Sequence, residues 1–205
     1  MRFRSCRARR ACRAFVSGER MLLEEAAGHL DGTWLFRWQE FVEPAQFQAG
    51  APMGMFSIQL PSIWNGKFSE GEQMGLPGEG FATYALELTL PAVPPNDNWA
   101  LLIHEVSTAY ALYAVTSDAV TLIAKNGRVG KNPSEHIPQW SRGVARLPDS
   151  ADGKMWLVMH LSNFSYVRGG AWKSIGISTE GRLERSMTVR NLLSAGLLGI
   201  LLVMA

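Results

Sequence analysis

The sequence has little cysteine. Cys6 and Cys12 both fall within the first twenty residues, so the rest of the chain has no disulfide framework and no thiolate metal site. No long amphipathic helical pattern occurs, which argues against a helical bundle. No Gly-x-Ser-x-Gly nucleophile turn and no phosphate-cradling glycine loop is found. The four histidines, His29, His104, His136 and His160, show no His-x-x-x-His spacing, and no metal site is expected. His104 and Glu105 are strand neighbours pointing to opposite faces, so they cannot act as a pair. Glu70, Glu72 and Glu79 lie in a glycine-rich stretch and read as solvated, and an acidic pair for glycoside hydrolysis is a spatial requirement that no spacing displays. The expectation is no catalytic residue and no cofactor.

Charge divides the chain. The net charge is +2, yet the first twenty residues hold seven Arg against one Glu. Residues 21–205 then carry 13 basic and 17 acidic side chains, a net of −4. A mildly acidic body argues against a nucleic-acid surface on the folded part. Residues 1–20 lack the apolar stretch of a secretory signal. Their arginines fit a nucleic-acid arm, a transit peptide, or non-native sequence upstream of a start at Met21. They are set aside as a basic head, disordered or non-native.

In the remainder the hydrophobic period is two. "GTWLFRWQEF" puts Trp34, Phe36 and Trp38 on one face, with Arg37 and Gln39 on the other. "FATYALELTLP" turns Tyr84, Leu86, Leu88 and Leu90 inward, with Thr83, Glu87 and Thr89 outward. That alternation belongs to half-buried antiparallel strands. Further strands are read at 56–60, 99–106, 109–115, 119–124, 155–164 and 172–178. Turn residues separate them: Pro94-Pro95-Asn96-Asp97, Ser117-Asp118, Asn126-Gly127, Pro148-Asp149 and Gly169-Gly170. Many short strands with regular turns predict an all-β sandwich over residues 21–180.

Four stretches in order, "LDGTWLFRW" (30–38), "IQLPSIWNG" (58–66), "GEGFATYALELTLP" (78–91) and "LLIHEVSTAYALYAV" (101–115), resemble galactose-binding-like jelly-roll domains, such as the sugar-binding domain of β-glucuronidase-type glycosidases. With "AKNGRVGKNPSEHIPQW" (124–140), "LSNFSYVRGGAW" (161–172) and the apolar tail, the chain resembles one subgroup more closely. This is the extracytoplasmic domain of bacterial receptors with seven transmembrane helices and diverse intracellular signalling modules. The chain departs from the pattern at Val115-Thr116-Ser117-Asp118, where relatives carry Val-Asn-Gly. The resemblance implies a jelly roll outside the cytoplasmic membrane, on its periplasmic or extracellular side. It also implies a small-molecule or carbohydrate ligand, with a second copy in the full receptor as a further partner. Any catalytic output would lie in a downstream module. The alternative is a carbohydrate-binding module of a glycoside hydrolase.

Residues 191–205, "NLLSAGLLGILLVMA", hold 15 residues without a charge. A bilayer span takes about 20 such residues. Residues 181–205 are therefore expected to be a linker and the start of a first transmembrane helix. A C-terminal helix docked on the sandwich is the other reading, disfavoured because no polar face appears. Arg182, Arg185 and Arg190 before the tail would mark a cytoplasmic flank, and the resemblance is given more weight than these three charges.

Within "LSNFSYVRGGAW", Asn163 can close the end of a buried strand by bonding backbone, and Gly169-Gly170 can supply a turn. The functional expectation is that Tyr166, Arg168 and Trp172 line a site at the sandwich end, with Tyr110 and Trp140 adding aromatic surface. An indole face would stack on an apolar sugar face while the guanidinium bonds hydroxyls or a carboxylate. His160, alone among apolar residues, is expected to be a satisfied core group.

Overall fold

The computed structural model describes residues 15–17, 20–22, 27–67, 75–91, 97–104, 106, 108–183 and 185. Twelve strands are present among them. They are β1 (Phe15–Ser17), β2 (Arg20–Leu22), β3 (Ala27–His29), β4 (Gly32–Trp38), β5 (Phe56–Leu60), β6 (Gly80–Thr89), β7 (Trp99–Ile103), β8 (Ala109–Val115), β9 (Val120–Asn126), β10 (Gly143–Arg146), β11 (Lys154–Asn163) and β12 (Gly176–Thr179). The larger sheet runs β5-β4-β6-β11-β8-β9, antiparallel throughout. Where the β4 pairing with β6 stops at Ala85, the same edge of β6 pairs in parallel with β2, which is also paired antiparallel with β1. The smaller sheet is β10-β7-β12-β3, also antiparallel. The two layers make an all-β sandwich.

The period of two produces the main core. Trp34, Phe36 and Trp38 of β4, Tyr84, Leu86 and Leu88 of β6, and Leu157, Met159 and Leu161 of β11 meet Leu101, Ile103 and Ile177 of the smaller sheet. Each Leu or Phe so buried contributes about 2 kcal/mol of transfer free energy. The rings interlock edge to face: Phe36 lies 4.8 Å from Tyr84 and Trp38 lies 5.0 Å from Trp64 between centroids.

The second face of the larger sheet is also covered, which simple alternation does not foresee. Residues 39–55, with a 3-10 helix at Pro44–Ala49, cross it and build a smaller core from Leu35, Val42, Phe47, Ala85, Val115 and Val158. Thr83, expected outward, is therefore buried. Its hydroxyl accepts the Val42 N–H at 2.9 Å and donates to the Glu40 carbonyl at 2.7 Å. His160 is satisfied as expected: Nε2 meets the Val42 carbonyl at 2.8 Å and the ring stacks on Phe41. Burial pushes its pKa below the ordinary histidine value.

Six of the eight expected strands agree with the structure closely, 99–106 yields Trp99–Ile103, and 172–178 yields only Gly176–Thr179. Gly169 to Ile175 instead wrap the sandwich end. β3 and β10 are short, and β10 turns apolar Val144 outward beside buried Ala145, so neither shows a clear hydropathy alternation in sequence. Within residues 1–20, set aside as a basic head, β1 and the first residue of β2 take extended pairing. The expected membrane segment, 191–205, lies outside the described residues. Among the described residues no helix is long and apolar enough to cross a membrane.

Candidate functional site

The paired glycines of the segment 161–172 serve close packing. A Cβ on Gly169 would fall inside the Trp64 indole and against the Gly78 carbonyl. Gly170 has φ +113°, and a Cβ there would lie 2.9 Å from the Ser62 carbonyl oxygen. Only glycine tolerates both demands. The backbone then zips onto the segment after β5: Trp64 N–H donates to the Gly169 carbonyl and Ser62 N–H to the Ala171 carbonyl, each at 2.9 Å. Trp64 Nε1 donates to the Gly78 carbonyl at 3.1 Å.

Asn163, fully buried at the end of β11, organises the turn that follows. Its Nδ2 donates to the Gly78 carbonyl at 2.8 Å and to the Tyr166 carbonyl at 2.7 Å. Its Oδ1 accepts the Tyr166 N–H and the Thr108 hydroxyl, both at 3.2 Å. All four capacities of the amide are used inside the protein. The turn is thereby fixed with Tyr166, Val167 and Arg168 facing outward, all exposed.

Three of the five expected residues come together here. The Trp140 and Tyr166 rings meet edge to face at 5.6 Å, and Tyr166 stacks on Trp172 at 6.4 Å. Trp140 is 51% exposed and Tyr166 38%, so they form an open aromatic corner. Arg168 lies exposed in the same turn. Trp172 plays a different part from the one expected. Tyr166 stacks on its ring, the Lys173 ammonium stands 5.2 Å from the ring centroid, and its Nε1 is buried without a hydrogen-bond partner. Trp172 thus backs the corner, and the exposed aromatic surface belongs to Trp140 and Tyr166.

Tyr110 needs correction. It is 3% exposed and lies in the main core with Leu112 and Ala114, because alternation along β8 turns it inward. Burial raises its phenol pKa.

Sequence reasoning missed the polar chain behind the corner. Gly130 N–H donates to Ser162 Oγ at 3.2 Å, and Ser162 Oγ lies 2.9 Å from His136 Nδ1. His136 Nε2 lies 3.0 Å from Thr108 Oγ1, which donates to Asn163 Oδ1. The Ser162 and Thr108 side chains are both completely buried and His136 nearly so. Burial lowers the His136 pKa. The one available sign was Ser162-Asn163 ending an otherwise apolar strand, since buried polar groups take partners. A serine beside an imidazole resembles a nucleophile and its base. This serine is sealed in the interior, so no substrate reaches it as the protein stands.

Among the described residues no group of three His, Cys, Asp or Glu is arranged to hold a metal ion. At the far end of β11 a shallow groove of about 250 Å³ is lined by Phe47, Thr116, Glu87, Asp152, Lys154 and Trp156.

No family model matches the chain, and no curated protein matches it. Solved structures do. A beta-glucuronidase of Ruminococcus gnavus is similar over 74% of this chain and 28% of its own, at 16% identity and a TM-score of 0.51. A glycosyl hydrolase family 2 member from Bacteroides cellulosilyticus is similar over 76% of this chain and 21% of its own, at 12% identity and a TM-score of 0.54. A beta-glucuronidase of an uncultured Clostridium is similar over 74% of this chain and 28% of its own, at 12% identity and a TM-score of 0.52. The chain thus spans about a quarter of the length of these enzymes. At such identities the likeness is one of fold.

Proposed function

We propose that this chain is a non-catalytic binding module of the galactose-binding-like jelly-roll kind, taking a carbohydrate or a comparable small molecule at the Trp140–Tyr166 corner. The observation that carries this reading is an exposed pair of rings held rigidly at one end of the sandwich. Such a corner offers π-faces to the C–H face of a pyranose. Arg168 in the same turn adds a donor for hydroxyls or a carboxylate. Solved structures sharing the fold are titled as beta-glucuronidases and a family 2 glycosyl hydrolase, which supports a carbohydrate-binding module of a glycoside hydrolase as its setting. The sealed Ser162–His136 pair supports a non-catalytic role.

The test is titration of the protein with methyl β-D-glucuronide, followed by tryptophan fluorescence. Trp140→Ala should abolish the response with the fold intact. Trp172→Ala should weaken binding by loosening the support of Tyr166. A saturable response unchanged by Trp140→Ala, or none at all with a panel of pyranosides, rejects the corner as a sugar site.

A second setting rests on a specific observation, the uncharged run 191–205 that follows the sandwich in sequence. With the motif order it supports the extracytoplasmic sensor domain of a seven-helix bacterial receptor in the cytoplasmic membrane. Ligand capture at the corner would then favour one arrangement of the membrane bundle and bias the signalling module. A second receptor copy would be the partner. A compartment-specific reporter fused after residue 180 of the full-length gene product decides this: reporter activity in the cytoplasm rejects the receptor setting.

A further inference from the structure

Besides their ring contact, the loop carrying Trp140 and the turn carrying Tyr166 are linked by hydrogen bonds through Thr108. Its carbonyl accepts the N–H of Gln139, the neighbour of Trp140, at 2.9 Å. Its hydroxyl donates to Asn163 Oδ1, the atom that also accepts the Tyr166 N–H. What orients that hydroxyl is His136, whose Nε2 lies 3.0 Å away. Only the Nε2–H tautomer gives every hydroxyl hydrogen in the chain an acceptor. In it, Ser162 donates to Nδ1, Nε2–H donates to Thr108, and Thr108 donates on to Asn163. In the other tautomer Thr108 must donate to Nε2, which strips Asn163 of a bond and leaves the buried Ser162 hydroxyl without an acceptor.

We propose that neutral His136 is the positioning residue of the aromatic corner, and that its protonation releases the loop bearing Trp140 from the turn bearing Tyr166, so the corner assembles only above a threshold pH. This inference takes the corner to be the binding surface, as proposed above, and adds its regulation. A protonated ring presents Nδ1–H to Ser162 Oγ, which already receives the Gly130 N–H, and the Ser162 hydroxyl hydrogen then has nowhere to go. An unsatisfied buried hydroxyl beside a buried cation is a strong drive toward opening. Among the described residues no carboxylate bonds to the ring, whose partners are Ser162 and Thr108. The charged and titratable groups on the described elements around the ring are Arg128, Lys131 and Glu135 of its own loop, His104 before Thr108, His160 two residues before Ser162 on β11, and Glu79, Tyr166 and Arg168 beyond Asn163; His160 is engaged with the Val42 carbonyl. Glu135 is engaged elsewhere, accepting from the Lys131 N–H at 3.0 Å and Asn132 Nδ2 at 2.8 Å. The aromatic contact on the His136 ring, Phe164 at 5.6 Å, is apolar. Burial alone lowers the pKa of His136, in the direction that favours the closed, neutral form.

The experiment is an NMR pH titration of the isotope-labelled full chain from pH 8 to 4.5 without ligand, following His136 Cε1–H, the Trp140 indole and the Tyr166 ring. The expected result is one shared midpoint for all three, below the ordinary histidine value. His136→Gln should erase the transition at Trp140 and Tyr166 while the other histidines still titrate. If that variant does not fold, Ser162→Ala serves: loss of the donor to Nδ1 should move the shared midpoint to higher pH. The inference is overturned if His136 titrates without movement at Trp140, if it stays neutral to pH 4.5, if the Trp140 transition survives in His136→Gln, or if Ser162→Ala leaves the midpoint in place. Since no ligand is added, failure of sugar binding and failure of the latch are read separately.

Discussion

The two ends of β11 are built by opposite means. At Asn163 the strand enters a buried polar chain that joins residues far apart in sequence, Gly78, Thr108, Gly130, His136 and Tyr166. At Lys154 it leaves a local turn closed by its own neighbours. Ser150 Oγ donates to the Lys154 carbonyl at 2.7 Å, and the Lys154 N–H donates to Asp152 Oδ1 at 3.0 Å. The adjoining hairpin is also bonded mainly within itself, the Thr116 hydroxyl donating to Asp118 Oδ1 at 3.0 Å, and the distant residue that reaches it is Gln48, whose Nε2 donates to the Thr116 and Ser117 carbonyls at 3.3 and 3.4 Å. Both aspartates are exposed, and hydrogen bonds hold them below the usual carboxylate range. A network sealed from water can hold two exposed rings in one geometry, whereas turns of this local kind frame only a shallow groove. The comparison supports the Asn163 end as the place of the proposed recognition.

The largest expected effect that would break this contrast is at Gly169. Gly169→Ala should cost about 3 kcal/mol, because the added carbon meets the Trp64 ring and backbone that cannot move aside; urea unfolding measures it. A loss near zero would mean that the turn is not packed as described. Asn163→Ala should cost about 2–3 kcal/mol by orphaning buried groups, and should uncouple Tyr166 from Trp140. Next comes pH. His136 and His160 are both held neutral in the folded state by burial, so the unfolded chain binds more protons near and below its histidine pKa of about 6.5. Stability should be fully present above that value and fall as pH drops through the lowered folded values; Tm at pH 7.5 and 5.5 checks the sign. Trp140→Ala should change stability by less than about 0.5 kcal/mol, since half the residue is in water. At the opposite end Asp152→Asn should leave Tm and the Trp140 resonance almost unchanged. A shift at Trp140 from that variant would show that the two ends are not independent.

Much of the larger sheet was legible because water enforces its period. Trp34, Phe36 and Trp38, and Tyr84, Leu86 and Leu88, fall inward as the alternation requires. The outer cover of residues 39–55 was not legible: Val42 and Phe47 follow no period of two, and the burial of Thr83 depends on what lies across it. At the candidate site, an aromatic residue near a paired glycine could be noticed in sequence, which gave Tyr166 and Trp172, while Trp140 entered only as further aromatic surface. Their division into an exposed corner and a half-buried support could not, because it is decided by how the loop and the turn meet in space. Tyr110 differs for another reason: its chemistry suits a site while its strand parity places it in the core. Thr108, Ser162 and His136 are spread over 55 positions and meet only once the strands pair.

The most direct measurement is an isotope-labelled titration with methyl β-D-glucuronide, reading the indole resonances of Trp140 and Trp156 together. Saturable shifts at Trp140 with Trp156 unmoved are expected. Shifts confined to Trp156 and its groove would contradict the assignment of recognition to the Asn163 end, and so would the absence of any shift across a panel of sugars.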